Sequence, residues 1–207
     1  TDDTLCCAVG KSMREKMVTD KYLDCSVGRP CAVTPFGASF AGPIVYSPGS
    51  AGGSVPSLSS TIPPQISGMT KLQSLFLVKL ANLGGTIPPQ ISGLTSLTYL
   101  KLDTMKMVVG SIPPQVGDAK SLSVLFMYDM PNLTGKIPPQ VGGLKSLTMF
   151  YLSKLGKVTG TIPTQVGLMT SLAYIRLFDL LNVSGTIPSQ LSRLTNLLFI
   201  YLNNMPK

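Results

Sequence analysis

The sequence predicts an α/β repeat solenoid, built from stacked 25-residue units that share one parallel concave sheet and begin with a disulfide-clamped helical N-terminal cap. Three observations predict it. An Ile-Pro pair recurs every 25 residues without slip, at Ile62, Ile87, Ile112, Ile137, Ile162 and Ile187. A glutamine follows each pair at the same offset, from Gln65 to Gln190. Within each unit the apolar residues fall at a fixed spacing that ends in alternation, as at Leu94, Leu97, Leu100 and Leu102. A period of 20–29 residues with that leucine spacing marks a leucine-rich-repeat solenoid, in which each unit is one supersecondary element. The expected division is an N-terminal disulfide cap at 1–60 and a leucine-rich-repeat solenoid at 61–207.

The cap is read from its cysteines. All four, Cys6, Cys7, Cys25 and Cys31, lie in one short segment. An even count so confined indicates a local disulfide framework and an oxidising compartment. A bond between adjacent Cys6 and Cys7 would strain the backbone, so each is expected to pair with one of Cys25 and Cys31. With no CxxC and no histidine in the chain, no metal site is expected. Leu5, Val9, Met13 and Met17 recur every four residues, with Lys11, Arg14, Glu15 and Lys16 between them. That is the pattern of an amphipathic helix lying over the end of a core. A run of Ser, Pro and Gly from Ser47 to Ser54 ends this region.

Each repeat then follows one course. In the unit around Leu100, the core residues Leu100 and Leu102 alternate with Tyr99, Lys101 and Asp103, which is a strand with one face inward. Val108 returns to the core, Gly110 suits the turn away, and Pro113-Pro114 stops ladder pairing and starts a short extended or helical return. One unit cannot bury its own apolar side, so the units stack on a shared core. Six strands at a spacing of about 4.8 Å would make a sheet roughly 24 Å wide.

Asn132-Leu133-Thr134-Gly135-Lys136-Ile137-Pro138 resembles the NLTGxIP signature of plant-type extracellular leucine-rich-repeat proteins, among them polygalacturonase-inhibiting proteins and receptor-kinase ectodomains. The resemblance covers about residues 61–207. It implies a ligand-recognition or inhibitor-like module outside the cell. Where that family carries an internal asparagine ladder, this chain has Leu80, Met105, Met130, Leu155, Leu180 and Met205.

The outward strand positions carry the functional signal. The middle position of successive strands reads Phe76, Lys101, Phe126, Tyr151, Arg176 and Tyr201. The position before it reads Ser74, Tyr99, Val124, Met149, Tyr174 and Phe199, and the one after it Val78, Asp103, Tyr128, Ser153, Phe178 and Asn203. Every tyrosine of the repeats is on this face, and of their phenylalanines only Phe150 is expected to point inward. Contiguous exposed apolar surface marks interaction sites, and aromatic residues and arginine are the usual energetic centres of interfaces. Lys101 and Arg176 are placed to lie over neighbouring rings. Two sequons, at Asn132 and Asn182, share one phase of the repeat and are expected to carry glycans.

Composition narrows the function. About 44% of the 207 residues are apolar and 13% charged, against about 25% charged in an ordinary soluble domain. Without histidine there is no Ser-His-Asp or Cys-His site. The repeats hold four acids, Asp103, Asp118, Asp129 and Asp179, and Asp103 with Asp129 reads as solvated or paired with Lys101 and Lys154 rather than as a catalytic dyad. An enzyme is therefore not expected, and no cofactor is called for. The net charge of +8 is spread along the chain rather than gathered in a stripe, which speaks against nucleic acid. No apolar run reaches the ~18 residues of a membrane span.

A start at Thr1 reads as a processed, secreted form. The end at Lys207, directly after a strand, reads as an uncovered last layer open to further contacts. Together these indicate a secreted, non-enzymatic protein acting by protein–protein contact. Its favoured form is a self-associating structural subunit of an extracellular assembly or filament, with copies of itself as partner. The alternative is a ligand-recognition ectodomain or inhibitor-like module binding a protein or an acidic polysaccharide.

Overall fold

The computed structural model describes residues 44–46 and 61–206, apart from residues 63 and 81. The cysteines, the expected cap helix and the turn-rich segment at 47–54 lie outside these residues.

Eleven strands occur among the described residues: β1 (Ile44–Tyr46), β2 (Ser74–Val78), β3 (Gly84–Thr86), β4 (Tyr99–Asp103), β5 (Met107–Val109), β6 (Val124–Tyr128), β7 (Met149–Ser153), β8 (Thr159–Gly160), β9 (Tyr174–Phe178), β10 (Asn182–Val183) and β11 (Phe199–Asn203). Seven form one parallel sheet in the order β1-β2-β4-β6-β7-β9-β11. The expectation of six strands is corrected by β1, which lies within the segment assigned to the cap and pairs Ile44 with Leu75. From β2 onward every residue pairs with its counterpart in the next repeat, so that Leu75, Leu100, Leu125, Phe150, Ile175 and Ile200 form one register row. The short strands pair separately, β3 with β5 and β8 with β10, at the exit from the main sheet.

The return path is a 3-10 turn in each described repeat, where the fold class anticipated an α/β unit; the described residues contain no α-helix. The turn at Pro139–Gly143 shows the reason. It opens at Pro138 in extended conformation, and its bonds run from Val141 N–H to the Pro138 carbonyl and from Leu144 N–H to the Val141 carbonyl. In a 3-10 turn residues three apart eclipse, so Val141 and Leu144 both enter the core.

The core is one continuous apolar column from Ile62 to Leu194. Phe150 is fully buried in it, as its inward position predicted. The apolar ladder that replaces asparagine is also buried, from Leu80 through Leu180. Each full burial of such a side chain stabilises by about 1.5–3 kcal/mol.

The chain reaches that ladder through a left-handed residue. Lys79, Thr104, Asp129, Lys154, Asp179 and Asn204 all have φ between 50° and 55°. Each ends a strand, and the N–H of Thr104, for example, donates to the Tyr128 carbonyl of the next repeat. The reversal returns the following residue to the core. Asparagine and aspartate tolerate this region, whereas lysine and threonine are strained in it. Gly110 marks the second sharp turn of its unit, at φ 80°, and a Cβ there would approach Thr86 Cγ2 to 2.9 Å.

Candidate functional site

Period-2 alternation sends the odd members of each five-residue strand away from the core. On β2, β4 and β6 the burial pattern alternates between half-buried and buried along the whole strand. The outward residues Phe76, Tyr99, Lys101, Phe126, Tyr128, Tyr151, Tyr174, Arg176, Phe178, Phe199 and Tyr201 thus stand on one face of one sheet, as the sequence predicts.

Their packing is closer than the expectation of a bare aromatic surface. Phe76 and Tyr99 meet edge to face with centroids 4.7 Å apart. Phe126 and Tyr151 stack at 4.1 Å with 14° between planes. Tyr151 meets Phe178 at 5.4 Å and Phe178 meets Tyr201 at 5.7 Å, both edge to face. Rings on neighbouring strands therefore cover one another, and Phe76, Tyr99, Phe126, Tyr128, Tyr151 and Phe178 are half-buried. The most exposed rings lie toward β11: Tyr174 at 39%, Phe199 at 56% and Tyr201 at 40%. Each ring pair contributes roughly 0.5–1.5 kcal/mol beyond its buried area.

The cations divide. Lys101 Nζ lies 4.9 Å from the Phe126 centroid and 3.2 Å from Asp103 Oδ2. Arg176, expected over a ring in the same way, makes no such contact among the described residues and is exposed. Lys154, expected beside an acid, instead has its Nζ 5.1 Å from the Tyr128 centroid. Asp103 Oδ1 accepts from Thr104 Oγ1 at 2.8 Å while its Oδ2 pairs with Lys101, the partner expected from the sequence. Burial pushes the Tyr151 phenol above its ordinary value; the adjacent Tyr128 adds to the shift and Arg176 opposes it.

One residue of this face had no signal in the sequence. Ser153 is fully buried, and its Oγ is the only buried side-chain polar atom without a partner among the described residues. It sits in the register row between Tyr128 and Phe178. A serine at an outward position reads as solvated, yet this one is fully buried between two ring-bearing register neighbours.

The sequon asparagines lie at the sheet's exit edge. Asn132 Nδ2 donates to the Lys106 carbonyl at 2.8 Å, and Asn182 Nδ2 to the Gly156 carbonyl at 2.7 Å. No group of three metal-ligating side chains and no helix long and apolar enough to cross a membrane occurs among the described residues.

This architecture defines a leucine-rich-repeat module with an aromatic sheet face. Among solved structures the chain is similar to the plant peptide hormone receptor RGFR1 in complex with RGF2, at 27% identity and TM-score 0.57, over 70% of this chain and 27% of that one. It is similar to the Arabidopsis receptor kinase HAESA in complex with the peptide hormone IDA and the co-receptor SERK1, at 25% identity and TM-score 0.60, over 70% of this chain and 24% of that one. It also matches the BIR3–SERK2 complex from Arabidopsis thaliana at 31% identity and TM-score 0.52, over 65% of this chain and 70% of that one. The chain spans about a quarter of the length of the first two. No family model matches it, and no curated protein does. The chain belongs to the plant-type extracellular leucine-rich-repeat proteins.

Proposed function

We propose that this protein is a secreted, non-enzymatic recognition module whose outer sheet face binds a peptide or protein. The observation that carries the reading is the unbroken run of aromatic and cationic side chains across β2 to β11, joined by ring contacts from Phe126 to Tyr201. Rigid rings supply contact area at little entropic cost, and arginine supplies orientation. The structural neighbours include receptors described with peptide hormones and a co-receptor, which supports the same use of the fold.

Self-association is the competing occupant of that face. The one acid at an outward strand position, Asp103, is already paired with Lys101, so a second copy meeting there offers Arg176 no free carboxylate. Charge therefore favours a foreign partner. The glycosylation reading of Asn132 and Asn182 stands beside this one: each Nδ2 has a second hydrogen to give up to a glycan, and the disulfide framework expected from the four clustered cysteines fits a secreted chain. The test of the function is the double variant Phe126→Ser/Tyr151→Ser. It removes the central stack and should abolish capture of peptides selected on the wild-type protein. Retained capture overturns the reading, and light scattering at high protein concentration decides whether a second copy occupies the face.

A further inference from the structure

The middle outward positions of six strands form one row, paired residue to residue: Phe76, Lys101, Phe126, Tyr151, Arg176, Tyr201. In threes, the row is ring–cation–ring twice over. A tyrosine precedes the cation by two residues both times, as Tyr99 and Tyr174. The two halves are offset by three strands, about 14 Å at the usual strand spacing. They meet at the Phe126–Tyr151 stack.

The halves differ where charge is balanced. Two residues after Lys101 stands Asp103, 3.2 Å from the ammonium, and the pair is largely covered, with 30% and 16% of the two side chains exposed. Two residues after Arg176 stands Phe178. Arg176 is exposed and has no carboxylate partner among the described residues. The acid that follows in sequence, Asp179, lies at the left-handed turn, where its Oδ1 accepts from Asn204 Nδ2 at 2.7 Å. Next to Phe178 in its row is Ser153, with the orphaned buried hydroxyl. The second half is thus the first half with its anion taken away, and it holds both an unpaired guanidinium and an unused hydroxyl.

From this we infer that the Arg176 half of the face is an acceptor site for one aspartate or glutamate side chain of a bound peptide segment, which takes the place that Asp103 fills in the other half. The inference rests on the proposed protein-binding role of the face. A carboxylate pairs with guanidinium through two parallel hydrogen bonds, and covering by the ligand strengthens that pair. Residues flanking the acid would lie on Tyr151 and Tyr201. A shift of the Phe178 ring on binding would uncover the Ser153 hydroxyl as a further donor.

The experiment is selection of peptides from a random library displayed as internal segments, so that no free terminal carboxylate is present. The best binder is then synthesised with blocked ends, alongside its acid-to-amide analogue. The site predicts an acidic residue beside an apolar one among the enriched sequences. It predicts an affinity loss of at least ~10-fold for the amide analogue, a similar loss for the parent peptide on Arg176→Gln, and little further loss when the two changes are combined. Phe178→Asp, which restores an internal anion, should behave like Arg176→Gln, with far-UV circular dichroism checking that both variants are folded. Losses that add independently, or binders without an acid, would overturn the site. Binders that are lost with Phe126→Ser/Tyr151→Ser but unaffected by Arg176→Gln would overturn the acceptor site and leave the binding role standing. Absence of any binder would overturn both.

Discussion

Ser153→Ala should make the protein more stable. In the native state the Ser153 hydroxyl is fully buried and makes no hydrogen bond, whereas in the unfolded chain water solvates it. Stranding such a group costs about 1–3 kcal/mol. Removing the oxygen relieves that cost and leaves a void the size of one atom, worth a few tenths of a kcal/mol at ~24 cal/mol per Å³. The net expectation is a gain of about 1–2 kcal/mol, or roughly 2–8 °C in Tm for a chain of this size. Urea unfolding followed by circular dichroism is the assay. The midpoint should rise with an unchanged slope, which marks a change of stability rather than of compactness. A midpoint that is unchanged or lower would show that the hydroxyl is bonded in the folded protein, and the reasoning about the covered row from Tyr128 to Phe178 would fail.

Three other outcomes follow from the same geometry. Thr104→Asn should stabilise by about 1 kcal/mol in the same unfolding assay, because threonine at φ 55° is strained and asparagine is at ease there. Gly117→Ala should cost about 1–3 kcal/mol, since a Cβ there would overlap the Gln140 carbonyl of the next turn; Tm by calorimetry checks it. In an alkaline absorbance titration, one phenol lost in Tyr151→Phe should ionise above the ordinary tyrosine range. The folded state holds that proton longer than the unfolded state does, so the group's contribution is whole below the ordinary tyrosine value of 10.0 and is lost as pH rises through the higher folded value.

Much of this was legible in the sequence because the repeat does not slip. The 25-residue offset places Leu100 beside Leu125 and Phe126 beside Tyr151, and the structure pairs both. The face on which each side chain stands follows from alternation alone. Other features had no such signal. β1 carries no Ile-Pro pair and pairs with β2 across 31 positions, from Ile44 to Leu75, so the period does not reach it. The left-handed turn recurs in register, but Lys79 and Thr104 are residues whose local preference points elsewhere. Ser153 is buried between register neighbours that carry rings, Tyr128 and Phe178, and no pattern along its own strand reports it. Lys101 and Arg176 hold equivalent positions in the row, and Asp103 two residues on sets Lys101 apart already in the sequence, but its rest over Phe126 is seen only in the structure.

The central claim is that ligands meet the outer face of the sheet, and the chain's own chromophores report on it. It has no tryptophan and seven tyrosines, of which Tyr99, Tyr128, Tyr151, Tyr174 and Tyr201 stand on or beside that face. Tyrosine nitration mapped by mass spectrometry, with and without a bound selected peptide, tests the claim directly. Protection of Tyr151, Tyr174 and Tyr201, with unchanged acetylation of Lys120 near the 3-10 turns, is the predicted result. Unchanged nitration of those three tyrosines together with protection of Lys120 would contradict it.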